Sequence, residues 1–173
     1  MKIINDYIRL IVFCGGLLLG IQIPALTDQY IKRVDAKFLE SSQALAGFQI
    51  TADRYFSGDI EQLIQHYKQS NDAVFRQDAN NIQFIFERVS RLKSELEALQ
   101  GSSFSQAFHV LFRHDNVIMQ ETLASYSYVI ILDPIAFVWG FVSALVLSTL
   151  IESLITLLVF GVRKASGQTQ TAR

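Results

Sequence analysis

One cysteine in the whole chain, Cys14, leaves no partner for an internal disulfide and rules out a cysteine zinc site. Charge is also scarce. Charged residues make up 18% of the chain, and a formal net charge of −1 offers no electrostatic footing for a nucleic-acid partner. Catalytic signatures are missing: no Walker motif, no GxSxG elbow, no HExxH pair and no dinucleotide fingerprint. The histidines are His66, His109 and His114. The last two are five residues apart, which does not align them on one helix face, so all three read as solvated or partly packed. Ser102, Ser103 and Ser105 have no nucleophile context and read as helix caps. No repeat and no low-complexity tract is present, apart from the polar tail 166–173, which is expected to be disordered. These absences leave no catalytic residue, no metal ligand and no cofactor to nominate. The chain is expected not to be an enzyme.

What the chain does have is apolar length. Residues 135–162 carry a single charge, Glu152. As a helix they would cover about 42 Å at 1.5 Å per residue, more than the ~30 Å of a bilayer core. A second stretch, 10–26, reads LIVFCGGLLLGIQIPAL and carries no charge. The flank 3–9 extends it to spanning length. A cleaved signal peptide is the rival reading, but Ile23-Pro24-Ala25 lacks the small residue usual three before the cut. A lipoprotein signal is disfavoured because Val12-Phe13, not small residues, precede Cys14. The expected division is a transmembrane helix at 1–26, a helical domain at 27–132, a second transmembrane helix at 133–163 and a tail at 164–173.

Orientation follows from basic residues near the span ends. Lys2 and Arg9 precede the first span, and Arg163, Lys164 and Arg173 follow the second. Between the spans, ten Lys/Arg face thirteen Asp/Glu. Both termini are therefore expected in the cytoplasm and the middle domain outside, although Lys32, Arg33 and Lys37 argue the other way.

The middle domain has helical periodicity. One seam runs Ile31, Val34, Phe38, Leu45, Phe48, Ala52, Tyr55, interrupted at Ser41. A cleaner one runs Ile82, Ile85, Val89, Leu92, Leu96, Leu99, and Ile60, Leu63, Ile64 and Tyr67 mark a shorter helix between them. Narrow stripes of this kind belong to coiled coils or bundles. Ser57-Gly58-Asp59 should break the first helix, with Asp59 capping the next. Gly101 suits a C′ position. Ser102 or Ser103, and then Asp115, should cap two more helices. Residues 126–131 are aromatic and β-branched and read as extended. Asp133-Pro134 should open the last helix as N-cap and N1.

From Gly15 the chain reads GGLLLGIQIPALTDQYIKRV, with Gln22, Pro24, Gln29, Tyr30 and Arg33 in sequence. This resembles the opening of a proteobacterial inner-membrane family, domain of unknown function 2937. Where that family tends to carry a glycine soon after the basic residue, this chain has Asp35-Ala36. The resemblance implies bacterial origin and membrane location, and no activity.

Candidate functional residues lie in the spans. Ala136, Gly140, Ala144, Ser148, Glu152 and Thr156 recur at intervals of four, a stripe of small and polar residues down an otherwise bulky helix. Small residues let another backbone approach, and polar ones bond across the contact. Gly16 and Gly20 form a GxxxG in the first span, beside Gly15. The two stripes could meet within one subunit or between subunits. Glu152 admits a functional reading, proton or ion handling, and a structural one, locking helix pairing. The structural reading is preferred. Trp139, Tyr126 and Tyr128 suit the outer membrane interface. Phe104, Phe108 and Phe112, four apart, read as core or as a face resting on the membrane.

The expectation is an all-α protein: two transmembrane helices flanking a helical, partly coiled-coil extracytoplasmic domain in a bacterial inner membrane. Its expected role is structural or interactive, with Gly16, Gly20, Gly140, Ala144, Ser148 and Glu152 as packing residues. Its expected partners are the lipid bilayer and either copies of itself or other membrane proteins. The alternative is an oligomeric channel or transport component with Glu152 lining the pathway.

Overall fold

A computed structural model describes residues 2–126 and 134–168. Those residues form six α-helices: α1 (Lys2–Tyr55), α2 (Ile60–Lys68), α3 (Ala73–Ala98), α4 (Ser103–Phe112), α5 (Asn116–Ala124) and α6 (Pro134–Gln168). No strand occurs among the described residues. Two helices are long and apolar enough to cross a membrane, one at Asp6–Tyr55 and one at Pro134–Leu154.

The first of these is 50 residues long, so the apolar stretch 10–26 and the seam beginning at Ile31 belong to one helix. Nothing between them stops a helix. No glycine lies between residues 21 and 46, and Pro24 sits inside α1. Its missing N–H removes one bond of the ladder, to the Gly20 carbonyl. At the other end, α6 runs to Gln168, so residues 166–168 are helical where disorder was expected. No proline follows the span to end it. Residues 127–131, read as extended, the cap Asp133 and the end of the tail lie outside the described residues.

The chain divides into two compact units. One contains α1 up to Leu26 together with α6, and the other spans Thr27–Tyr126. In the second, α2 packs on α3. Leu45 and Ala52 of α1, Ile60, Leu63 and Ile64 of α2, and Ile82 of α3 form its core, with Phe48, Phe56, Tyr67, Ile85, Phe86 and Val89 packed around it. Both expected seams lie inward along most of their length. The exception is Tyr55, which is 69% exposed, while the ring next to it, Phe56, packs on the core. Ser41, the interruption in the first seam, is buried, as is the next seam residue Leu45.

Local chemistry sets the helix ends. The turn after α1 takes Ser57 and Gly58 into positive φ, at 54° and 86°. Asp59 then accepts the N–H groups of Glu61 and Gln62 at 2.9 and 3.1 Å and caps α2. Asp72, Ser102 and Asp115 cap α3, α4 and α5 in the same way. The seam helix ends with Leu99 as its C-cap, so Gly101, with φ of 127°, falls one position beyond the expected C′ site. Phe104, Phe108 and Phe112 are exposed, which overturns their reading as core. α4 buries Ala107 and Val110 instead, on its other face.

Candidate functional site

In the first unit, α1 and α6 meet along their small residues. A Cβ added to Gly16 would lie 2.8 Å from the Ala144 Cα, and one added to Gly20 would lie 2.6 Å from the Trp139 carbonyl and from the Ser143 hydroxyl. A Cβ on Gly140 would come within 2.8 Å of Ile21. At Gly16 and Gly20 the atoms met include backbone, which a side chain could not displace. The residue pairs descend along α6 as they ascend along α1, so the two helices are antiparallel. Ala136 and Ala144 have no exposed surface, and Gly140 is buried between them. Phe13 and Phe141 meet edge to face, with ring centroids 6.3 Å apart. Leu10, Ile11, Leu18 and Leu19 on α1, and Phe137, Val138, Leu145 and Val146 on α6, point outward.

The stripe continues to Ser148 and Glu152. Glu152 Oε1 accepts from Arg9 Nε at 2.6 Å, with both side chains about half exposed. Ser148 Oγ is buried and has no hydrogen-bond partner. It borders a cavity of about 210 Å³ whose other polar neighbours are Arg9, Glu152 and Thr156. Thr156 donates to the Glu152 carbonyl at 2.8 Å, within its own helix. The arrangement therefore brings Gly16, Gly20, Gly140, Ala144, Ser148 and Glu152 into one antiparallel contact that ends in an ion pair. The sequence marks Arg9 only as an orientation signal before the first span. The signal that could have found its role is a lone cation and a lone anion at matching distances from the close-packed glycines.

The second unit holds a polar cluster that the sequence did not suggest. Tyr30 is fully buried. Its hydroxyl donates to Glu95 Oε1 at 2.6 Å and accepts the Asp115 backbone N–H at 2.8 Å. His109 Nε2 lies 2.9 Å from the same Glu95 oxygen. One phenol thus ties α1 to α3 and to the start of α5, and α4 joins through His109. Burial, and then the bond to Glu95, push the Tyr30 hydroxyl well above the ordinary tyrosine range. One turn along α1, Arg33 bonds Ser125 and lies 3.7 Å from Glu121. Lys37 bonds both Glu121 oxygens, at 2.9 and 2.8 Å. The hydrogen bond from Lys37, and then the charges of Lys37 and Arg33, hold the Glu121 carboxyl below its usual range. Apart from His109 and Glu95, 14 apart, these pairs join residues 65 to 92 apart in the chain, which no local spacing could reveal. Among the described residues, no three His, Cys, Asp or Glu side chains converge to hold a metal ion.

No curated protein and no solved structure is detectably similar to this chain. A family model does match, covering residues 4–164 and therefore both units. The chain belongs to that family, domain of unknown function 2937, described as a protein of unknown function.

Proposed function

We propose that this chain is an integral protein of a proteobacterial inner membrane with a structural or interaction role. It self-associates or serves as an accessory subunit of a membrane complex. The glycine contact between α1 and α6 carries the reading. Two apolar helices close on each other through Gly16, Gly20 and Gly140, and turn leucine, valine and phenylalanine outward, as a hairpin in lipid requires. Both termini face the cytoplasm and residues 27–126 form a periplasmic domain, on the charge distribution at the span ends. The stripes along α1 and α3 supply coiled-coil-like contacts inside that domain. Purification from the native membrane in a mild detergent, with mass spectrometry of what accompanies the chain, tests the role. A homo-oligomer or a stoichiometric membrane partner is expected. A lone monomer at native expression would sink the proposal.

A second reading is favoured by one observation, the small cavity beside Arg9, Ser148 and Glu152. There Glu152 would belong to an ion or proton pathway formed by several copies. It requires a closed symmetric assembly and a flux across proteoliposomes that Glu152→Gln abolishes with assembly intact.

A further inference from the structure

We propose that the groove between α3 and α5 binds an amphipathic anion, a phosphate or carboxylate head on an apolar tail. The groove encloses about 680 Å³, within the ~300–1,000 Å³ usual for small-molecule sites. Phe84, Arg88, Arg91, Leu92 and Glu95 follow one another at steps of one, three or four, so they share one face of α3. Leu92 and Ile118 are buried at its base. Phe84 and Val117, 60% and 63% exposed, stand as uncovered apolar walls.

The charges in the groove are unequally committed. Asp115 accepts two N–H groups as the cap of α5, and Glu95 takes the Tyr30 hydroxyl and His109 on one oxygen. Glu121 is held by Lys37, which is thereby used. Arg88 has one long ion pair, 3.8 Å, to the exposed carboxylate of Glu40. Arg91 has no partner among the described residues. Glu95 and Asp115 keep their negative charge, but the cations left with a long partner or none are two guanidinium groups one helical turn apart on the same face of α3. A small hydrated anion would leave Phe84 and Val117 unused, and an uncharged apolar ligand would leave Arg91 unpaired and Arg88 with only its long contact to Glu40. A head-and-tail anion uses both.

The test is calorimetry on the full chain in nanodiscs of neutral lipid, with empty discs subtracted. The probes are hexyl phosphate, inorganic phosphate and hexanol. Hexyl phosphate is expected to bind saturably, one per chain, with inorganic phosphate at least about tenfold weaker and hexanol not saturable. Losing one charge-assisted hydrogen bond corresponds to about tenfold. Arg88→Gln with Arg91→Gln should weaken hexyl phosphate by that factor or more, and helix content by circular dichroism checks that the variant folds. Lys93→Gln, on another face of α3, should change nothing. Val117→Ser should weaken hexyl phosphate and leave inorganic phosphate alone. Equal binding of inorganic and hexyl phosphate would overturn the amphiphile assignment. So would undiminished binding to the folded double variant, or no saturable binding to the wild type.

Discussion

At Tyr30, every hydrogen-bonding function of one buried side chain is spent on a different helix. Its hydroxyl serves Glu95 and the Asp115 N–H, so Tyr30→Phe would leave the N–H of a helix cap without its partner and remove one of two donors from Glu95. An unsatisfied buried group costs about 1–3 kcal/mol. A loss of that order is expected in chemical denaturation of the detergent-solubilised protein, where a purely apolar role for the ring would give none. The raised pKa adds a pH signature. The folded phenol keeps its proton past pH 10, where an unfolded tyrosine begins to lose it. The contribution is therefore complete below about pH 10 and fades as the pH rises beyond it. Subtracting the Tyr30→Phe profile from the wild-type profile should isolate that alkaline loss, and parallel profiles would refute it. Tyr30 was visible in the sequence as part of the Gln29-Tyr30 pair, but its partners were not. Glu95 and His109 lie 65 and 79 residues further on, and neither stands out from ordinary solvated side chains.

The helices themselves were legible because each rests on a local rule. Of the period-four small residues, Ala136, Gly140 and Ala144 mark a buried face of α6, while Glu152 and Thr156 further along it are exposed, and the apolar seams mark the inner faces of α1 and α3. Asp59 and Asp115 marked helix starts because a carboxylate at an N-cap satisfies N–H groups two and three residues ahead. Continuity was harder. Nothing in 1–55 says whether the apolar stretch and the seam make one helix or two, since the absence of a stop signal is weaker than the presence of one. For Phe104, Phe108 and Phe112, read as core or as a face resting on the membrane, only the core reading fails, because spacing identifies a face but not whether anything covers it. Two substitutions test the element-level packing. Gly140→Leu keeps the span apolar, so insertion should survive, but its side chain would meet Ile21 and Leu17 at the closest approach. The melting temperature in detergent should drop sharply, while Gly47→Leu, where nothing lies within reach of a Cβ, should have little effect. Leu92→Asp removes a buried leucine worth about 1.5–3 kcal/mol and puts a charge in its place. It should destabilise the helical domain by at least that much, and an unchanged denaturation midpoint would mean the seam is not a packing surface.

On the scale of the molecule, the proposed membrane hairpin makes two things measurable, its orientation and the part its ion pair plays. Replacing Cys14 with serine leaves a chain without thiols, and a single cysteine at Gln69, exposed at the end of α2, then reports its side. Reaction with an impermeant maleimide in cells with a permeabilised outer membrane is expected. Labelling only after lysis would reverse the topology. The ion pair sharpens the same argument energetically. Arg9 and Glu152 both lie in helices apolar enough to enter a bilayer, where an unpaired charge costs about 2.5–3.5 kcal/mol on insertion scales. Glu152→Gln strands the arginine and Arg9→Gln strands the carboxylate, so each single variant should melt lower than wild type. The double variant removes both charges and should recover most of the loss. That recovery separates a lock between α1 and α6 from an ion pathway. A lock tolerates the neutral pair with assembly and any native partner retained, whereas a pathway through Glu152 would lose its flux in the double variant however well it assembled. If the double variant melts as low as the sum of the singles, the two groups do not act on each other, and Glu152 must answer to a partner outside this chain.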